Sequence, residues 1–158
     1  MRGRFLISAA VAASLTLGAM APIASAATPK AKGHSVTIST RKVPGLGTVL
    51  VNSKGRTLYM FVPDKHKRVT CVKTCAAVWP PVFLPKNGKA VAKGQAKQKL
   101  LGSDKDPAGG RVVTYHGWPL YLYAGDTKAG VATGQDIDLN GGYWYVLNPS
   151  GGLIKHKA

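Results

Sequence analysis

Thr57-Leu58-Tyr59-Met60-Phe61-Val62-Pro63-Asp64 and Pro119-Leu120-Tyr121-Leu122-Tyr123-Ala124-Gly125-Asp126 are two versions of one phrase. Leu, Tyr, an aromatic residue and Asp stand at the same spacing in both. Each copy follows a strand-like run with a glycine turn, and each precedes a loop and then a tryptophan, Trp79 in the first and Trp144 in the second. The same four features in the same order, twice, mark an internal duplication, with copies spanning about residues 45–84 and 109–152. Two copies are too few for a solenoid or a propeller. The duplication therefore predicts a closed or face-to-face arrangement in which each copy buries the other's apolar face.

The surrounding chain reads as short strands separated by Gly, Pro and Asn. Ser35-Val36-Thr37-Ile38-Ser39-Thr40 alternates apolar and hydroxyl side chains, the period-2 pattern of a half-buried strand. Thr48–Val51 and Thr57–Phe61 flank Asn52-Ser53-Lys54-Gly55-Arg56, a hairpin connection. Arg111–Tyr115 and Leu120–Tyr123 flank His116-Gly117-Trp118-Pro119 in the same way, and Tyr143–Leu147 is an aromatic strand that turns at Asn148–Gly152. Only Ala90–Leu101, rich in lysine and without an apolar stripe, has helical composition, and it reads as loop or one short helix. The expected fold is all-β, a compact sandwich or barrel of two pseudo-symmetric repeats.

The first 26 residues read as a secretory signal: Arg2 and Arg4, an apolar run from Phe5 to Met20, then Ala24-Ser25-Ala26 before Ala27. Residues 27–34 read as a flexible leader, and 35–158 as one β domain. Removing 26 of the 158 residues leaves 132, a normal size for one domain with its own core. Two of the 22 basic residues and none of the six acids fall in the signal. The mature chain therefore sets 20 cations against six aspartates, a formal charge of +14, with no glutamate at all. The charge reads first as a solvated surface that keeps a secreted protein soluble; the competing reading is attraction to anionic envelope material, cell-wall polymers or acidic lipids, and nucleic acid is not an expected client outside the cytoplasm.

At the repeated phrase the chain resembles a family of secreted bacterial proteins and lipoproteins defined by tandem Tyr-x-aromatic-x-x-Asp motifs, described as a secreted repeat of unknown function. Tyr59, Phe61 and Asp64 match in the first copy, and Tyr121, Tyr123 and Asp126 in the second. Cys71-x-x-x-Cys75-Ala76 leading to Trp79-Pro80-Pro81 is similar to the family's first repeat, and Gly117-Trp118-Pro119-Leu120-Tyr121 to the start of its second. The resemblance implies export and a β-rich repeat domain, and it implies no established reaction. Many members carry a lipid-anchoring cysteine. None stands near the expected cleavage site here, so anchoring does not carry over.

On a strand, Tyr59 and Phe61 share one face while Leu58 and Met60 share the other, and the second copy repeats this. Asp64 and Asp126 fall just past the strand, where a carboxylate can accept backbone N–H bonds and fix a turn. The motif thus reads as folding grammar, since both copies must fold but both need not bind. The competing reading puts the tyrosines and aspartates in a ligand pocket. Export favours a Cys71–Cys75 disulfide. The alternatives are a soft-metal site, copper held by Cys71, Cys75 and His66, or a thiol-exchange pair. Asp136-Ile137-Asp138-Leu139-Asn140-Gly141 resembles the first half of a calcium loop, but Leu147 occupies the place of its twelfth-position acid, and an aspartate-stabilised turn competes. Trp79, Trp118, Tyr143 and Trp144 are either core or a stacking surface. No nucleophile elbow, phosphate-binding glycine loop or paired-histidine helix is present. No catalytic residue, cofactor or enzyme activity is expected.

Overall fold

The computed structural model describes residues 34–65 and 68–155, so the expected signal, the expected leader up to Gly33, His66, Lys67 and the last three residues lie outside it. Nine strands run β1 (Ser35–Val43), β2 (Gly47–Asn52), β3 (Tyr59–Phe61), β4 (Lys89–Ala92), β5 (Leu101–Lys105), β6 (Arg111–Tyr115), β7 (Trp118–Pro119), β8 (Ile137–Asp138) and β9 (Tyr143–Val146). They form three small sheets ordered β2-β1-β4, β3-β9-β8 and β5-β6-β7. The fold is all-β, and its sheets do not close into a barrel. Among the described residues, one short helix, α1 (Thr74–Val78), and 3-10 turns at Val62–Asp64 and Gln98–Leu100 are the helical pieces.

Three turns are built alike. Asn52–Arg56, Asp106–Gly110 and Asn148–Gly152 each close with the fourth residue's N–H on the first residue's carbonyl, all at 2.9 Å. In each, the first side chain's oxygen accepts the N–H two residues on, at 2.9, 2.7 and 2.9 Å. The fourth residue is Gly55, Gly109 or Gly151, at φ 73, 110 and 85, the left-handed backbone that a three-residue hairpin loop needs at that place.

The strand alternation sorts side chains into two cores. Leu58, Met60 and Leu120 join Ile38, Leu50, Val113, Tyr115 and Leu147 in an aliphatic cluster. Tyr59, Phe61 and Tyr121 face the other way, into a cluster with Trp79 and Trp144. Both faces of the motif strands are therefore covered, as continuous apolar patterning on both faces requires.

The two copies meet through their motif tyrosines. The Tyr59 N–H donates to the Tyr121 carbonyl and the Tyr121 N–H to the Tyr59 carbonyl, both at 2.9 Å. A pseudo-twofold axis runs between the two residues. The copies differ beyond it. Trp144–Val146 lies in a regular ladder with β3, whereas the first-copy counterpart contains Pro80 and Pro81, which lack the N–H donors of a ladder. That stretch holds to the second motif by Leu122 N–H on the Pro80 carbonyl and Val82 N–H on the Leu120 carbonyl, each at 2.9 Å.

The lysine-rich segment differs from its expected form. Residues 89–92 form β4, parallel to Ser35–Ile38 of β1, and the helical turn is confined to Gln98–Leu100. Small, partly exposed alanines gave that strand little alternation to read.

Candidate functional site

The repeated motif assembles around the axis by exchange between copies. The Tyr59 hydroxyl of the first copy donates to Asp126 Oδ2 of the second at 2.8 Å. The Tyr121 hydroxyl of the second donates to Asp64 Oδ2 of the first at 2.6 Å. The other carboxylate oxygen fixes a loop in each case. Asp64 Oδ1 accepts the Thr70 N–H at 2.8 Å and its hydroxyl at 2.6 Å, and Asp126 Oδ1 accepts the same pair from Thr133 at the same two distances. Tyr59, Tyr121 and Asp64 are 0 % exposed and Asp126 1 %. Four buried polar side chains thus satisfy one another, which removes most of the cost of burying them.

The aromatic position follows the same rule. Phe61 stacks on Trp144 with ring centroids 4.1 Å apart, and Tyr123 stacks on Trp79 at 4.3 Å. The two tryptophans stack on each other at 3.9 Å, with planes 2° apart. Phe61, Trp144, Trp79 and Tyr123 therefore make one column, in which each copy's motif ring lies on the other copy's tryptophan. Trp144 Nε1 donates to the Leu139 carbonyl at 2.9 Å. Trp79 Nε1, also buried, has no partner among the described residues.

Burial dominates the electrostatics. It raises the Tyr59 and Tyr121 hydroxyls above their ordinary pKa, and the neighbouring carboxylates, Asp126 and Asp64 respectively, raise them further. Asp64 is raised above 3.8 by burial, against the lowering effect of its bonds from Thr70 and Tyr121. Tyr145 is also raised, by burial and then by Asp136.

The remaining candidates fall elsewhere. Cys71 and Cys75 are joined in a disulfide with Cα atoms 5.2 Å apart, across the start of α1. Their sulfurs are bonded to each other, so neither is free as the thiolate that copper binding requires. Asp136–Gly141 is not a calcium loop. Ile137 and Asp138 pair with Trp144 and Tyr143, and Asn140 and Gly141 carry φ 59 and 89. That is the two-residue type I′ hairpin that Asn-Gly signals. Leu147, at the missing acid's position, is core. Among the described residues no group of three or more His, Cys, Asp or Glu could hold a metal. Of the aromatic residues, Trp79 and Trp144 are core, Trp118 is half-buried against the aliphatic cluster, and Tyr143 is exposed.

Sequence reading missed Thr70 and Thr133, the loop partners of the aspartates. Their signal was a threonine six or seven residues after each motif aspartate.

The molecule so described is a duplicated all-β domain in which each repeat completes the other's tyrosine, aspartate and aromatic sites. A family of secreted repeats of unknown function matches residues 40–83 and 102–148. The chain belongs to that family and is a secreted protein. No curated protein and no solved structure matches it. No helix among the described residues is long and apolar enough to cross a membrane.

Proposed function

We propose that the protein is a non-enzymatic binding or structural module of the bacterial cell envelope, holding to anionic envelope polymers through its basic surface. The observation that carries this reading is where the polar chemistry lies. The motif tyrosines and aspartates are buried and bonded to one another, and none of them lines the three depressions around the β5–β6 hairpin. What remains for solvent and partners is cationic. Every described lysine and arginine except Arg56 is exposed. Three of the six aspartates, Asp64, Asp106 and Asp126, are buried. Burial of these acids leaves the surface more one-sided in charge than the composition alone, and such a field draws in polyanions.

Cosedimentation of the mature protein with isolated envelope material, over a range of salt, tests this. Binding should weaken steeply as salt rises. Salt-indifferent binding, or none at low salt, overturns the proposal. Thiol titration and elemental analysis of the same material should find no free thiol and no stoichiometric metal.

A further inference from the structure

Two surface depressions adjoin on the side of the domain formed by the 84–90 segment and the Ser103–Arg111 face of the β5–β6 hairpin. The first, of about 580 Å³, and the second, of about 280 Å³, share Leu84, Gly88 and Ser103. Shared walls make them one groove. Cations follow one another along it, Lys86 and Arg111 in the first depression and Lys89 in the second, while a third depression, of about 430 Å³ and lined by Gly102, Thr114 and His116, opens on the opposite face of the hairpin. No carboxylate lines any of the three, and no Phe, Tyr or Trp does either.

The groove is shaped by local structure. Pro85–Gly88 is a β-turn closed by the Gly88 N–H on the Pro85 carbonyl at 2.8 Å, with Asn87 at φ 58, and it carries Lys86 at its tip. Arg111 is held in place by the residue opposite: its Nε donates to Ser103 Oγ at 2.9 Å, its Nη2 also bonds Ser103, and its Nη1 donates to no described residue. A guanidinium fixed on one edge with the other free is set to receive a phosphate.

We infer that this groove is the contact surface for a linear, base-free phosphodiester polymer, a polyol-phosphate chain of the envelope. The inference rests on the envelope-binding reading above and assigns it a surface and a ligand. Successive cations along a groove suit a chain of repeating charge better than a single ion. No aromatic ring lines the groove itself, and the exposed Phe83 stands only at its edge beside Gly110, which disfavours single-stranded nucleic acid, whose bases bind by successive stacking. The partly buried Leu84 and Leu101 provide an apolar strip for the methylene carbons of a polyol.

The test uses the mature protein and purified poly(glycerol phosphate), with affinity measured by calorimetry over a range of salt. Lys86→Ala combined with Arg111→Ala should weaken binding about tenfold and flatten the log–log salt dependence by about one unit per lost cation. Lys54→Ala combined with Lys128→Ala removes the same charge away from the groove and should change affinity by no more than about twofold. Ser103→Ala keeps every charge but frees the guanidinium, and should weaken binding measurably. All three variants should keep the wild-type circular dichroism spectrum.

Equal losses in the two double variants overturn the groove but leave envelope binding standing. Equal or tighter binding of oligo(dT) or polyglutamate of matched charge overturns the polyol-phosphate assignment. If the wild type binds poly(glycerol phosphate) no better than a neutral glycan while still cosedimenting with envelope material, the phosphodiester inference fails alone. If it does neither, both readings fail.

Discussion

Tyr59 and Tyr121 each hold a carboxylate that belongs to the other repeat, so removing one hydroxyl should harm a loop that is distant in sequence. Tyr121→Phe leaves Asp64 Oδ2 buried without its donor while Thr70 still holds Oδ1. Leaving a buried acceptor unsatisfied costs about 1–3 kcal/mol. Tyr59→Phe does the same to Asp126, and because the two environments are near copies the two losses should agree closely in urea unfolding at neutral pH. Unequal losses would show that the pseudo-symmetry of distances is not one of energies. Asp64 adds a pH dependence. Its folded pKa lies above 3.8, so the folded protein holds that proton more tightly than the unfolded chain. The stabilisation from this proton is full below 3.8 and is lost as pH rises through the folded value. The stability of the wild type relative to Asp64→Asn should therefore be greatest in acid and shrink toward neutrality, as read from urea midpoints from acid to neutral pH. The opposite trend would mean that Asp64 is stabilised as a carboxylate. At this scale the sequence was half legible. Period-2 alternation separates Tyr59 from Leu58, and a post-strand aspartate announces a turn. Periodicity names a face and not a partner, so nothing local could say that Tyr59 would reach Asp126 rather than Asp64.

The disulfide is the clearest departure from symmetry among the elements. Tyr59's hydroxyl also accepts the Gly134 N–H at 3.2 Å, and the Cys71 backbone acts on the Tyr121 hydroxyl in the same pKa-lowering sense. Cys71 and Gly134 therefore occupy matching places. In the second copy the place is filled by neighbours, since a Cβ on Gly134 would sit 2.8 Å from Trp79 and 3.0 Å from Tyr59. Both atoms belong to rings locked in the aromatic core, so Gly134→Ala should cost about 1–3 kcal/mol as overpacking, seen as a lower urea midpoint. In the first copy the side chain turns into a bond with Cys75. That bond spans a sequence separation of only 4, so Cys71→Ser with Cys75→Ser should cost about 2 kcal/mol, the small value expected when a short loop is released. A loss near 5 kcal/mol would mean that the loop around Thr70, and with it the Asp64 site, unfolds once the bond is gone. Elements with strong alternation or turn chemistry, β1, β2 and the Asn52 hairpin, could be read from the chain. Strand β4 could not, because its Ala90 and Ala92 give almost no contrast and its parallel pairing with β1 is decided by distant residues. Pro80 and Pro81 likewise hid a stretch that pairs as a strand without having a strand's donors.

For the whole molecule, exchange between repeats has a thermodynamic consequence that duplication alone does not. If each repeat owned its own tyrosine, aspartate and tryptophan contacts, one could melt while the other stayed folded, as in a repeat array with weak interfaces. Here the exchanged parts are the core itself. The four-ring column alternates between copies, the two buried carboxylates are each held from across the axis, and the tyrosines bond backbone to backbone. Unfolding either repeat strips the other of a buried hydrogen-bond partner and of half its aromatic core. The domain should therefore unfold in one transition, with calorimetric and van't Hoff enthalpies equal. The parallel Trp79–Trp144 pair gives a local probe, because rings this close should couple in near-ultraviolet circular dichroism. That signal should vanish at the same temperature as the far-ultraviolet β signal, in the wild type and in Tyr121→Phe alike. A variant confined by sequence to one repeat would then lower a single midpoint rather than split the curve. Two resolved transitions, or tryptophan coupling lost ahead of the sheets, would mean that the repeats are stable apart and that the exchanged contacts only dock them.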